Sequence, residues 1–166
     1  MVWWQLVLLS ALLVSLMFGY VLLFGAPYLP TTKAQIDAAL RLAGLPKGGI
    51  LIDLGCGDGR ILIAAAEAGY MAVGYELNPL LFAICWLRTR RLRTKIKLIY
   101  GDFWHAKWPA ADAVYVFLLG RLMDKLERKI RAEGLSQIKI VSFAFRFNDL
   151  EPLASDHGVY LYKLED

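Results

Sequence analysis

Gly49-Ile-Leu-Ile-Asp-Leu-Gly-Cys-Gly-Asp-Gly-Arg60 is the stretch that decides the fold. Gly49–Leu54 is an apolar strand, and glycines at 55, 57 and 59 form a turn running straight into an alanine-rich helix, Arg60–Ala68. A strand, a glycine turn and a helix in this order open a βαβ unit. Ligands of open α/β sheets bind at this carboxyl edge, where glycine lets the backbone approach closely. A dinucleotide fingerprint would put its third glycine one place later, where Arg60 stands.

Strands and helices alternate downstream. Strands are expected over Met71–Tyr75, Ile96–Tyr100, Ala113–Leu118, Ile138–Phe145 and Gly158–Leu164, with helices over Pro79–Arg91 and Arg121–Ala132. Such alternation predicts a largely parallel sheet covered on both faces. The tail from Asp149 to Asp166 is too short for a helical crossover, so its strand is expected to return antiparallel through a hairpin. Upstream, Ala26-Pro-Tyr-Leu-Pro-Thr-Thr32 is a proline-broken connector. It leads into a short amphipathic helix, Lys33–Ala43, with Thr31 or Thr32 as N-cap.

The chain has 166 residues, 58% of them hydrophobic, and no charged side chain precedes Lys33. Val2–Phe24 is nearly all apolar, and as a helix it would cover roughly 34 Å, against a hydrocarbon core of about 30 Å. Trp3, Trp4, Tyr20 and Tyr28 flank it, and a basic region of the kind that opens a signal peptide is missing. The expectation is one transmembrane signal anchor (residues 1–25) in contact with the lipid bilayer through Val2–Phe24. The rest of a single-pass membrane protein would then lie on the cytoplasmic side. Two cysteines, Cys56 and Cys85, suit a reducing compartment. A net charge of +4 gives no argument for nucleic acid. The run Arg88, Arg90, Arg91, Arg93, Lys95 and Lys97 reads first as a solvated helix end favoured by the macrodipole, second as a contact for anionic headgroups.

Two acids join the glycine turn. Glu76 ends the second strand, where a carboxylate can accept hydrogen bonds from both hydroxyls of a ribose. Asp102 ends the third, where it can accept from an adenine amino group while Phe103 or Trp104 covers the ring. Three sites at three consecutive strand ends form an adenosine-binding set. His105 and His157 read as surface histidines.

These elements resemble the seven-β-strand S-adenosylmethionine methyltransferases. More narrowly, the chain is similar to the lysine methyltransferases of the ATP-synthase c subunit and the adenine-nucleotide translocase, and to their archaeal protein-lysine relatives. The matching pieces are Pro27-Tyr-Leu-Pro-Thr31, Asp53–Arg60 with the helix after it, Ala72-Val-Gly-Tyr-Glu-Leu-Asn-Pro79, Asp102-Phe-Trp104 and Val159-Tyr-Leu-Tyr162. The resemblance implies an α/β fold with a Rossmann-like seven-strand sheet, mostly parallel with the last strand antiparallel, behind the transmembrane helix. It divides the chain into the anchor, a connector and lid over residues 26–48, and a methyltransferase domain over residues 49–166. It implies S-adenosylmethionine as donor, S-adenosylhomocysteine as product and no metal, with Tyr28, Thr31, Asp53, Gly55, Gly57, Glu76, Asn78, Asp102 and Phe103 around the donor.

The acceptor would lie near Phe117, Leu119, Phe143 and Phe145, and no general base stands out. The implied partner is a protein with an accessible lysine, itself at or near a membrane (the inner mitochondrial membrane in a eukaryote). A small lipophilic acceptor and a non-catalytic donor-binding module are the other readings. An Asn/Asp-Pro-Pro-aromatic motif is missing after the fourth strand, which argues against a nucleobase amino group as acceptor.

Overall fold

The computed structural model describes residues 3–24, 31–135 and 137–164. Helix α1 is Trp3–Phe24 and α2 is Lys33–Ala43. Then follow β1 (Ile50–Leu54), α3 (Arg60–Glu67), β2 (Met71–Glu76), α4 (Pro79–Arg88), β3 (Ile96–Tyr100) and β4 (Ala113–Val116). A 3-10 turn at Gly120–Leu122, α5 (Met123–Ala132), β5 (Lys139–Phe143), β6 (Ala154–Asp156) and β7 (Val159–Lys163) complete the described elements. Seven strands form one sheet in the order β3-β2-β1-β4-β5-β7-β6. β1 to β5 are parallel, and β7 runs antiparallel to both β5 and β6.

Connection direction reverses between β1 and β4, and a crevice opens at such a reversal. One apolar layer joins α2, α3 and α4 to the sheet through Ala38, Ala39, Leu62, Ala65 and Cys85. The opposite layer holds α5 through Met123, Leu126 and Ile130, three fully buried side chains at helical spacing. α2 begins where the Gln35 side-chain oxygen accepts from the Thr32 N–H at 2.7 Å, making Thr32 the N-cap, and it ends at Gly44 in the left-handed region. His157 and Gly158 both have positive φ, as a tight hairpin between β6 and β7 requires.

Three elements end two or more residues before the sequence reading placed their ends. α4 stops at Arg88 because the Thr89 hydroxyl donates to the Cys85 carbonyl, so most of the basic run lies beyond the helix. β4 stops at Val116, and β5 stops at Phe143 because the chain turns at Ala144.

The expected membrane span requires a correction. α1 is helical from Trp3 to Phe24, but among the described residues no helix is long and apolar enough to cross a membrane. The transmembrane helix, the bilayer contact through Val2–Phe24 and the single-pass topology with a cytoplasmic or inner-mitochondrial-membrane placement all rested on that span, and they fall with it.

Sheet and helix meet most tightly at Gly74 on β2. A Cβ there would lie 2.5 Å from Leu62 Cδ1 and 2.8 Å from Cys56 Sγ, both on buried residues. Gly74→Ala should therefore lower stability by about 1–3 kcal/mol, the usual cost of overpacking. A shift of the urea midpoint at constant slope would show it; an unchanged midpoint would mean that the layer yields.

Candidate functional site

The carboxyl edge of β1, β2 and β3 gathers four acidic side chains. Asp53 lies within β1, paired across the sheet with Gly74 on one side and Tyr115 on the other. It is buried, and among the described residues its carboxylate accepts no hydrogen bond. Burial raises its pKa well above the usual carboxylate range, and the negative charges of Glu76 and Asp58 add to that. A buried carboxylate with no hydrogen-bond donor at a strand end has the chemistry to receive a cation.

Glu76 is the last residue of β2 and is also buried. One of its oxygens accepts from the Gly57 N–H at 2.8 Å, the other from the Asn78 N–H at 2.7 Å. Burial pushes its pKa up, and the backbone N–H groups of Asn78, Gly57 and Leu77 pull it partly back. Asn78 caps α4, its side-chain oxygen accepting from Leu80 N at 2.9 Å and Leu81 N at 3.2 Å. Gly55 and Gly57 hold positive φ, and a Cβ at Gly55 would meet open space, so the loop presents bare backbone at its outer side.

Asp102 follows β3. Its Oδ1 accepts from Trp104 N at 2.9 Å and its Oδ2 lies 2.8 Å from His105 Nδ1. Each oxygen keeps a second lone pair for a ligand. The Phe103 and Trp104 rings lie 4.6 Å apart beside it.

Several participants gave no signal in the sequence. Arg60 donates to Asp58 through Nε and Nη2, both at 2.9 Å, and through Nη1 to the Thr31 carbonyl at 2.7 Å. Arg88 also pairs with Asp58. Burial alone would raise the Asp58 pKa, but the Arg60 and Arg88 guanidiniums outweigh it and hold the carboxyl below its usual value. The Thr31 hydroxyl is 3.3 Å from the Tyr115 hydroxyl, and burial raises the Tyr115 pKa. Thr31 is thus tied from both sides to the edge that carries Asp53. Tyr28 lies outside the described residues.

Phe117 and Phe143 continue from the registered pairs Leu54–Val116 and Val116–Ser142, which sets them level with Gly55. Their rings are 4.6 Å apart, and Phe145 is 6.3 Å from Phe117. Leu119 stands apart from this trio and starts the 3-10 turn. His157 sits in the hairpin between β6 and β7, beside Asp156. Among the described residues no group of three His, Cys, Asp or Glu could hold a metal ion.

The model of the ANTKMT methyltransferase domain matches residues 53–154. The chain belongs to this family. It is 34% identical over 130 residues to the ATP synthase c-subunit lysine N-methyltransferase of Xenopus laevis, across 76% of this chain and 56% of that one. To a protein-lysine N-methyltransferase of Saccharolobus islandicus it is 30% identical over 148 residues, covering 82% of this chain and 92% of that one. The mouse adenine nucleotide translocase lysine N-methyltransferase is 35% identical over 132 residues, covering 77% and 57%. The chain thus spans little more than half the length of the animal relatives.

An RNA methyltransferase from Salinibacter ruber, solved with S-adenosyl-L-homocysteine, superposes with a TM-score of 0.74 at 29% identity, covering 81% of this chain and 91% of that one. A Thiobacillus denitrificans methyltransferase, also solved with that product, shares the fold at a TM-score of 0.57 and 20% identity, covering 69% and 49%. The sheet is that of the S-adenosylmethionine-dependent methyltransferases.

The donor fits the edge. A sulfonium and an α-ammonium are cations for a buried unpaired carboxylate, and the bare glycine backbone leaves room for them. Asp53 sets the sign of a pH effect. Because its folded pKa is raised, its contribution to stability is largest below the unfolded value of about 3.9 and is lost as pH rises through the folded one. Asp53→Asn should therefore make the ligand-free chain more stable at about pH 7–8 and flatten the pH dependence of its melting temperature. The same change should weaken donor binding in calorimetry. Lower stability at neutral pH together with intact binding would contradict this account.

Proposed function

We propose that the chain is an S-adenosylmethionine-dependent protein-lysine N-methyltransferase. The observation that carries this is the set of carboxylates at three consecutive strand ends around a glycine loop, in a chain whose family and relatives are lysine methyltransferases. Residues 49–166 serve as the catalytic domain and residues 26–48 as the connector that closes over the donor. Glu76 accepts from the ribose hydroxyls, and its existing bonds to Gly57 and Asn78 fix the direction in which it does so. Asp102 accepts from the adenine amino group beside Phe103. Asp53 faces the cationic end of the donor, with Gly55 and Gly57 leaving space for it and Thr31 bounding it from the connector.

S-adenosylmethionine supplies an electrophilic methyl group, and the transfer is an in-line displacement in which positioning provides most of the acceleration. A lysine must arrive as a neutral amine, although its reference pKa is about 10.4. The Phe117, Phe143 and Phe145 rings give it an apolar approach, and loss of solvent there favours the uncharged form. Bulk solvent takes the proton before the amine enters.

The test adds the purified chain and tritiated donor to an extract of cells lacking it, followed by acid hydrolysis of the labelled protein. Nε-methyl-lysine is the expected product. Arginine in place of the labelled lysine should abolish incorporation, because a guanidinium stays protonated. Label confined to organic-extractable material would replace this reading with a lipophilic acceptor. The initial rate at saturating donor should also climb between about pH 7 and 9 as the amine loses its proton.

A further inference from the structure

Phe143 and Phe145 are two residues apart, and along an unbroken strand both rings would lie on one face of the sheet. Instead Phe143 packs with the layer that holds α2 and α3, and Phe145 with the layer that holds α5. Phe117 meets both. The cause is the turn between them. Ala144 has a φ of 67°, in the left-handed region that a Cβ disfavours. The Phe145 N–H donates to the Phe143 carbonyl at 2.9 Å, closing a three-residue γ-turn, and this turn with positive φ is rare and strained.

Strain persists only where the surroundings over-determine it. Here the Ala144 N–H donates to the Gly158 carbonyl at 2.9 Å, and the Ser142 hydroxyl donates to the Phe145 carbonyl at 2.6 Å. Ser142 is fully buried, so its hydroxyl is shielded from competing water. Two glycines seat the rings: a Cβ at Gly158 would lie 3.7 Å from Phe143, and one at Gly120 would lie 3.5 Å from Phe145.

We infer that Ser142 is a positioning residue for the acceptor: through the Phe145 carbonyl it locks the Ala144 turn, which splits Phe143 and Phe145 to either side of Phe117 as the walls of the lysine approach. This rests on the acceptor side proposed above, and no residue of the donor side takes part in it. Sequence pattern alone would place both rings on one face and leave the approach with a single wall.

The test uses the full chain, with the extract of cells lacking it as acceptor and donor affinity measured separately by calorimetry. Ser142→Ala should keep donor affinity and lower the acceptor kcat/KM by on the order of tenfold or more, the scale expected of a misplaced approach. Ser142→Thr, which keeps the hydroxyl, should restore a substantial part of it. Ala144→Gly removes the strain and keeps every hydrogen-bonding atom. It should melt no lower than the wild type and keep acceptor kcat/KM, because the relaxed turn still splits the rings.

Should Ser142→Ala fail to fold, Ser142→Cys, whose thiol is only a weak donor, takes its place and should lose acceptor kcat/KM at intact donor affinity. Acceptor kinetics unchanged in Ser142→Ala, or in Ser142→Cys in its place, would overturn the inference while lysine labelling by the wild type keeps the function standing. Absence of lysine labelling by the wild type would remove both.

Discussion

The Glu76 carboxylate is the constraint on which the donor edge depends. It sits buried at the end of β2 and accepts one N–H from the glycine loop after β1 and another from the cap of α4. The glycine loop is thereby joined to the end of β2 and the start of α4 by two charge-assisted bonds, each shorter than 3 Å. Burial of a carboxylate costs free energy unless such bonds offset it. The carboxyl edge is therefore held open and polar at the place where the rest of the sheet is closed and apolar.

Charge spreads outward from there by a consistent logic. Asp58 is neutralised by Arg60 and Arg88, and Arg60 passes on to the Thr31 carbonyl. The segment entering α2 is thereby fastened to the glycine loop, and Tyr115 fastens it a second time from β4. Asp53 is left buried among acids and unpaired among the described residues, its charge resisted by its surroundings. Burial and the neighbouring Glu76 and Asp58 charges both disfavour its ionised form.

The two halves of the edge are built by different means. The half proposed for the donor uses backbone N–H groups and carboxylates on short, well-capped connections. The half proposed for the acceptor uses rings placed by a strained turn, with a hydroxyl and a neighbouring hairpin holding the strain. The reversal between β1 and β4 separates them and sets Gly55, Phe117 and Phe143 level with one another, roughly 5 Å between neighbouring strands.

The sequence by itself determined the parallel sheet, the glycine turn and the three acid-bearing strand ends. Each is written in local pattern: alternation of apolar runs, glycine where φ must be positive, an acid at or near a strand's end. It also determined the start of α2, because a threonine N-cap acts within a few residues. Only the tertiary structure decided the length of β5, the partners of Asp58 and the meeting of Phe117 with Phe143 and Phe145. Those depend on residues far apart in the chain, and on a positive φ at an alanine, which composition does not announce. The apolar run at the N-terminus misled for a related reason. Hydropathy reports what a segment can bury, and among the described residues no helix is long and apolar enough to cross a membrane.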